Sequence, residues 1–167
     1  MRVRRLFSTV AIVLVLAIMF AGGWVVGKTG IGAHVDPRSL TDLERQFSER
    51  MHGVAMVGSF TIAGMDNRAA RPDRYDISSV EKVGDDRWRF NARMHYGDHD
   101  IPLPVTVPLR WVGDTPMIML TDFTIPAMGT FTVRLFFYGD RYAGTWQHGR
   151  VGGQMFGRIE RSTTDKP

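Results

Sequence analysis

The sequence predicts a mainly β protein: an antiparallel barrel or sandwich of about eight strands, preceded by one N-terminal transmembrane helix and one short amphipathic helix. Three observations support this fold class. A charge-free apolar stretch covers residues 6–26, helical spacing of apolar side chains is confined to residues 39–51, and alternation with a period of two follows from Gly53 onward. Because short turns separate the predicted strands and no helical crossover lies between them, neighbouring strands should pair antiparallel.

The apolar stretch from Leu6 to Val26 has the length and composition of a bilayer-spanning helix, which needs about 20 residues. Three arginines precede it and a single lysine, Lys28, follows it, which predicts a cytoplasmic N-terminus and a periplasmic or otherwise extracytoplasmic C-terminal domain. Cleavage of a signal peptide at residues 21–23 is the alternative, but the apolar stretch continues beyond that point through Trp24. We therefore expect residues 1–27 to form an uncleaved signal-anchor.

The outer end of this stretch contains a literal nucleotide-binding string, G-x-x-x-x-G-K-[ST], formed by Gly22, Gly27, Lys28 and Thr29. In a phosphate-binding loop a short strand leads into the glycines, and a helix begins at the lysine. Here a stretch of membrane-spanning length precedes the string, and two glycines and Pro37 follow it. We therefore expect that no nucleotide binds. The predicted antiparallel domain is a second reason, because it lacks the βαβ unit in which phosphate-binding loops occur.

Charge and cysteine content exclude several classes of partner and chemistry. The chain carries 21 basic and 17 acidic residues, but four of the basic ones precede the first acidic residue, Asp36, so the remainder is formally neutral. A nucleic-acid-binding domain needs a basic excess, so we expect no nucleic acid as a partner. The chain has no cysteine, which excludes disulfides, thiolate catalysis and zinc–sulfur sites.

The exported part divides into a tether, one domain and a tail. The tether is expected at residues 28–38, the domain at residues 39–161 and a polar tail at residues 162–167. The domain should open with a helix of about three turns, capped at Ser39 with Asp42 three residues later. The apolar stripe of this helix is formed by Leu40, Leu43, Phe47 and Met51.

Eight strands are predicted from apolar runs between turn signals, with a loop at residues 66–73 between the first two. They cover residues 54–62, 74–83, 87–96, 101–112, 117–121, 129–138, 141–148 and 154–160. The second and third should form a hairpin in which Val80 lies opposite Phe90 and Glu81 opposite Arg89. Prolines at 102, 104 and 108 remove backbone donors from the fourth strand, which predicts an edge or irregular strand.

The densest polar cluster of the sequence lies at the end of the third predicted strand. His95 and His99 are four residues apart, and Asp100 follows directly. Imidazole and carboxylate groups bind zinc and other divalent ions, so these three residues form a candidate metal site. A solvated hairpin loop is the alternative, because this spacing suits a helix better than a strand that runs into a turn. No serine elbow or oriented nucleophile is present, so we assign no catalytic residue and expect no cofactor.

Methionine and aromatic side chains of the predicted strands could line an apolar cavity, since an eight-stranded barrel is just wide enough for one small ligand. The candidate lining residues are Met56, Phe60, Trp88, Phe90, Met94, Phe131, Phe137 and Trp146. A core filled by the same side chains is the alternative. Gly144 and Trp146 also form the G-x-W pair that lipocalins carry on their first barrel strand. Here the pair falls on the penultimate predicted strand, so it does not assign the family.

The sequence gives no reaction and leaves three functional hypotheses. The leading one is a non-catalytic, membrane-anchored domain that binds an apolar small molecule, a lipid or a partner protein. The second is a metal-assisted hydrolase that uses His95, His99 and Asp100. The third is a structural subunit of an envelope complex, in which the anchor helix at residues 6–26 packs against other membrane spans.

Overall fold

Eight strands form one closed antiparallel barrel in the computed structural model, which describes residues 35–65, 69–96, 99–125 and 128–162. The strands follow one another in chain order around the barrel, and the last pairs with the first. Their bounds are β1 Val54–Phe60, β2 Arg71–Lys82, β3 Arg87–Tyr96, β4 His99–Val112, β5 Thr115–Ile125, β6 Gly129–Tyr138, β7 Arg141–His148 and β8 Val151–Arg161. The predicted antiparallel β-domain is therefore confirmed, as a barrel rather than a sandwich.

The predicted transmembrane helix at residues 6–26 lies outside the described residues, as do residues 28–34 of the tether and residues 163–167 of the tail. In the part of the chain that the structure describes, no helix has both the length and the apolar character needed to cross a membrane. The anchor therefore stays a prediction.

A short helix, α1 (Asp42–Arg50), precedes the barrel and begins later than predicted. The predicted cap at Ser39 is wrong, because Pro37–Ser39 form a separate 3₁₀ turn. Thr41 caps α1 instead: the Glu44 amide donates to the Thr41 hydroxyl at 3.3 Å, and the Thr41 amide donates to the Glu44 carboxylate at 2.9 Å. This reciprocal pair satisfies two amides that would otherwise lack a partner at the start of the helix.

The hairpin of β2 and β3 has the predicted register. Val80 lies opposite Phe90 and Glu81 lies opposite Arg89. Farther along the pair, a bulge at Ser78 shifts the register by one residue. The predicted alternation of β3 is confirmed as well, because its apolar side chains face the barrel interior and its arginines face outward.

β2 begins at Arg71, so the predicted loop over residues 66–73 extends too far. Arg71 pairs with Phe60 of β1, and Asp73 pairs with Gly58. The Arg-Pro-Asp sequence is typical of a turn, but pairing with β1 overrides this local preference. The correction places the Asp73 side chain on the inner wall of the barrel, where it is buried.

β4 spans 14 residues and pairs continuously with β3, and before Leu109 its other side has the unpaired backbone expected of an edge or irregular strand. The Leu109 amide donates to the Asp86 carbonyl at 2.7 Å, so the Leu109 N–H points toward β3. Backbone direction alternates, so the nitrogens of Pro102, Pro104 and Pro108 face β5. Among the described residues, β4 and β5 pair only over Leu109–Val112 and Thr115–Ile118. The prolines thus line an unpaired stretch, where missing donors disfavour the addition of a foreign strand.

α1 closes one end of the barrel with the side chain of Phe47, which is 1% exposed. The Phe47 ring contacts four aromatic rings of the inner wall, with centroids 5.5–6.4 Å apart: Trp88, Phe90, Trp111 and Phe137. Met51, immediately after the helix, is fully buried beside it. This end of the interior is therefore filled by side chains.

Two polar contacts fix α1 to β2. The Ser48 hydroxyl donates to the Val80 carbonyl at 2.5 Å, and Lys82 Nζ lies 2.6 Å from the Glu44 carboxylate. Burial alone would raise the pKa of Glu44, but the hydrogen bonds from Lys82 and Thr41 outweigh it and hold that pKa below its usual value. The helix is thus held by a partly buried ion pair as well as by its apolar face.

Candidate functional site

Residues that lie opposite each other on antiparallel strands share one side of the sheet, so the register assigns each paired barrel residue to the inner or the outer wall. Near α1 the inner-wall side chains are buried: Trp88 and Phe90 of β3 are 1% and 5% exposed. Farther along the same strand, Ala92 and Met94 are only half-buried.

The same change from buried to half-buried occurs on the neighbouring strands. On β4, Leu109 and Val107 are buried, and Val105 and Leu103 are half-buried. On β5, Ile118 and Leu120 are buried, and Phe123 and Ile125 are half-buried. On β6, Phe137 and Leu135 are buried, and Val133 and Phe131 are half-buried. The barrel interior is therefore packed at the α1 end and accessible from the opposite end.

We name the accessible end the open half of the barrel, defined by the inner-wall residues Phe60, Met94, Phe123, Phe131, Val133 and Trp146. Aromatic contacts shape it. Phe60 packs edge-on against Trp146 with ring centroids 5.7 Å apart, and Phe131 stacks on His148 at 4.6 Å. The open half is thus mainly apolar and aromatic, as small-molecule sites usually are.

All eight candidate lining residues lie on the inner wall, but the structure separates them into two groups. Met56, Trp88, Phe90 and Phe137 are buried in the packed end around Phe47. The other four, Phe60, Met94, Phe131 and Trp146, lie in the open half. Whether a ligand contacts them stays a prediction, but only the second group is placed to do so.

A polar site that the sequence reasoning missed lies on the inner wall between these two ends. Asp73 of β2 is 5% exposed and Tyr142 of β7 is 1% exposed. The register connects them through two glycines: Asp73 lies opposite Gly58, Gly58 opposite Gly157, and Gly157 opposite Tyr142. A β-carbon at either glycine would collide with the Tyr142 hydroxyl. The Tyr142 side chain therefore occupies the space that the missing side chains of the two glycines leave empty.

Several polar groups of the inner wall are buried without a hydrogen-bond partner among the described residues. They are both carboxylate oxygens of Asp73, the hydroxyl of Tyr142 and the indole nitrogen of Trp146. Each such group destabilises a fold by about 1–3 kcal/mol, and more than 90% of buried polar groups in proteins are paired. All of these atoms belong to residues of the inner wall.

We call Asp73, Tyr75 and Tyr142 the Asp73 site. Burial raises the pKa of Asp73 above its usual value, and the neighbouring hydroxyls of Tyr75 and Tyr142 offset this only in part. Burial and the Asp73 charge together raise the pKa of both tyrosines. The tyrosines are therefore neutral hydroxyl donors, and Asp73 is an acceptor with a carboxylate charge that burial disfavours.

The predicted metal ligands occupy a different place. His95 and Asp100 lie on the outer wall, where His95 Nε2 is 2.8 Å from Asp76 Oδ2 and His95 Nδ1 is 3.5 Å from Asp100 Oδ1. His99 is the first residue of β4, and its side chain is outside the described ones. Within the described ranges, no group of three or more His, Cys, Asp or Glu side chains is arranged to hold a metal ion.

The outer-wall histidine belongs to an ion-pair network instead. Arg74 donates to Asp76 Oδ1 at 2.6 and 2.9 Å, and Arg93 lies 2.7 Å from Asp100. Burial opposes ionisation of Asp76, but Arg74 and His95 outweigh it and hold the pKa of that carboxyl below its usual value. His95 and Asp100 thus lie on two paired strands and contact other polar side chains, whereas residues 97 and 98 of the predicted loop lie outside the described ones.

An open groove of about 490 Å³ also lies on the outer wall, beside the β2 bulge. Its polar lining is already engaged: Ser78 donates to the Asn91 carbonyl at 2.9 Å, and Arg93 pairs with Asp100. The groove therefore presents fewer free polar groups than the inner wall does.

No known protein family matches the chain, and no similar curated protein or solved structure was found. The described residues form a closed β-barrel of eight strands that follow one another in chain order. Side chains fill its α1 end, the opposite half is open, and its inner wall carries the Asp73 site.

Proposed function

We propose that the protein is a membrane-tethered, non-catalytic barrel of the cell envelope that binds one small apolar molecule in the open half of its interior. The change in exposure along the inner wall supports this most directly. The same strands carry buried side chains at the α1 end and half-buried ones at the other, so the inner wall is exposed to solvent at the end away from α1. Barrels of eight strands are wide enough to hold one small ligand when their side chains do not fill them.

The composition of the open half fits an apolar ligand of modest size. Phe123, Phe131 and Val133 provide a hydrocarbon surface, and Met94 adds a side chain that adapts to different shapes. Burial of ligand surface here would contribute about 25 cal/mol for each Å² removed from water. A few polar groups beside an apolar wall are the usual means by which such sites orient a ligand.

The predicted anchor adds a reason for a lipid or another apolar ligand. If residues 6–26 span a membrane, they hold the barrel where apolar molecules concentrate, and the ligand reaches the open half without crossing much water. The balanced charge of the chain after Lys28 agrees with a ligand that is not a polyanion.

The test is a calorimetric titration of the full-length chain in lipid nanodiscs with phenylbutanol, a small, neutral, partly apolar probe. Empty nanodiscs supply the blank. Val133→Phe adds bulk to the open half and should weaken binding at least about tenfold, because Val133 faces Leu120 and Trp146 on the inner wall. Thr145→Phe makes the matched change at an exposed position of the outer wall and should leave binding unchanged.

Circular dichroism in the aromatic region shows whether both variants keep the native packing. The proposal fails if the wild type gives no heat beyond that of empty nanodiscs. It also fails if Val133→Phe, natively packed, binds the probe as well as Thr145→Phe does.

A further inference from the structure

Asp73 is the only charged side chain among the buried residues that the structure describes. Neither of its oxygens accepts a hydrogen bond of good geometry there; the hydroxyls of Tyr75 and Tyr142 and its own backbone amide stabilise its charge, and no cation does. Arg71, two residues earlier on the same wall, is exposed at the rim and has interactions of its own. The interior therefore holds an acceptor whose negative charge is not balanced by a buried basic residue.

The chemistry of Asp73 suits a ligand that donates hydrogen bonds. A carboxylate accepts hydrogen bonds through two oxygens and donates none. The Tyr142 hydroxyl, which also stabilises the Asp73 charge, lies against Gly58 and Gly157 on the same part of the inner wall. A group with several N–H donors would satisfy the carboxylate and the hydroxyl oxygen together.

We infer that the Asp73 site binds the protonated amine of a ligand whose apolar part lies in the open half of the barrel. This inference rests on the proposed function and specifies the head group of its ligand. An ammonium group carries three N–H donors and a positive charge that would balance the Asp73 carboxylate. The open half also contains the packed rings of Phe60 and Trp146, and aromatic faces attract cations.

Other head groups fit the site less well. A carboxylate head would face the Asp73 charge at close range and would be repelled. An alcohol supplies a single donor and no charge, so it would satisfy one oxygen and leave the other unpaired. The site should therefore rank ligands with the same hydrocarbon part by head group: amine first, alcohol second, carboxylate last.

The experiment compares phenylbutylamine, phenylbutanol and phenylbutyrate, which share one hydrocarbon part, against the full-length chain in neutral-lipid nanodiscs. Calorimetric affinities are measured for the wild type, Asp73→Asn and Tyr142→Phe. Asp73→Asn keeps the size of the side chain and removes a buried charge, so it should fold. Asp76→Asn is the matched control, because it changes the same residue type on the same strand but faces the outer wall.

The inference expects the wild type to bind the amine roughly 10- to 100-fold more tightly than the alcohol, as a charge-assisted hydrogen bond allows. Asp73→Asn should abolish that preference while leaving the alcohol affinity within about twofold. Tyr142→Phe should reduce the preference in part, and Asp76→Asn should keep it.

Equal affinities for all three probes, or an amine preference that survives Asp73→Asn, would overturn the head-group assignment and leave the apolar site standing. Binding of none of the probes would overturn the proposed function as well. A preference for phenylbutyrate would overturn the inference alone.

Discussion

Replacing Phe47 with alanine should destabilise the barrel more than any other single change in α1. The side chain is almost fully buried, and its ring contacts four aromatic rings of the inner wall at centroid distances of 5.5–6.4 Å. Truncation removes these contacts and leaves a cavity that rigid neighbouring strands close poorly.

The size of the effect follows from the burial of Phe47. Replacement of a buried phenylalanine by alanine lowers the free energy of unfolding by about 3–5 kcal/mol. Domains are stable by about 5–15 kcal/mol in total, so the variant should lose a large fraction of its stability. For a domain of this size the expected decrease in Tm is roughly 10–20 °C.

The assay is urea denaturation of residues 34–167, which form one compact unit. Unfolding is monitored by tryptophan fluorescence. Trp88 and Trp111 contact Phe47 directly and report on its environment. Leu43→Ala is the matched control on the same helix, because Leu43 is 43% exposed and should lose less than about 1 kcal/mol. Similar losses for the two variants would refute the conclusion that α1 closes the barrel through Phe47.

Three further predictions concern polar groups and space inside the barrel. Asp73→Asn should raise the stability of the ligand-free domain by about 1–3 kcal/mol at pH 7, because it removes a buried charge that no cation balances. The folded-state pKa of Asp73 is raised, so the gain over wild type should shrink as the pH falls through that pKa toward the unfolded-state value, and a destabilised variant would contradict this. Glu44→Gln should lose about 1 kcal/mol at pH 7 through its contact with Lys82. The Glu44 pKa is lowered in the folded state, so the difference should start to decrease below the unfolded-state pKa and vanish as the pH falls through the folded-state pKa; a pH-independent difference would contradict the assignment. Gly58→Ala should lose about 1–3 kcal/mol in the same denaturation assay because its β-carbon would collide with the Phe156 carbonyl and the Tyr142 hydroxyl, and wild-type stability would show that the glycine is not needed for space.

The strands were predictable because their signals are local. Alternation along β3 and the turn that follows β2 fix the hairpin register, and the structure has Val80 opposite Phe90 as that pattern predicts. Closure of the barrel was not predictable in the same way. It depends on pairing between β1 and β8, which are far apart in the sequence, and no local pattern distinguishes that from a sandwich.

The candidate site was only half predictable for a related reason. Apolar residues in alternation indicate an inner wall, so Phe60, Met94 and Trp146 could be named. Asp73 could not, because its Pro-Asp context is typical of a turn and only pairing with β1 turns it inward. The signal that could have located it is the pair of glycines within strand patterns, Gly58 and Gly157, which mark a close approach of another group.

Native mass spectrometry of the full-length chain, purified from the membranes of an exporting host and followed by solvent extraction, tests the central claim most directly. The account predicts one small adduct per chain that extracts with organic solvent, carries an amine, and decreases in Val133→Phe but persists in Thr145→Phe. A chain that shows no adduct as purified, and takes up neither phenylbutanol nor phenylbutylamine when incubated with them, would contradict a ligand site inside the barrel.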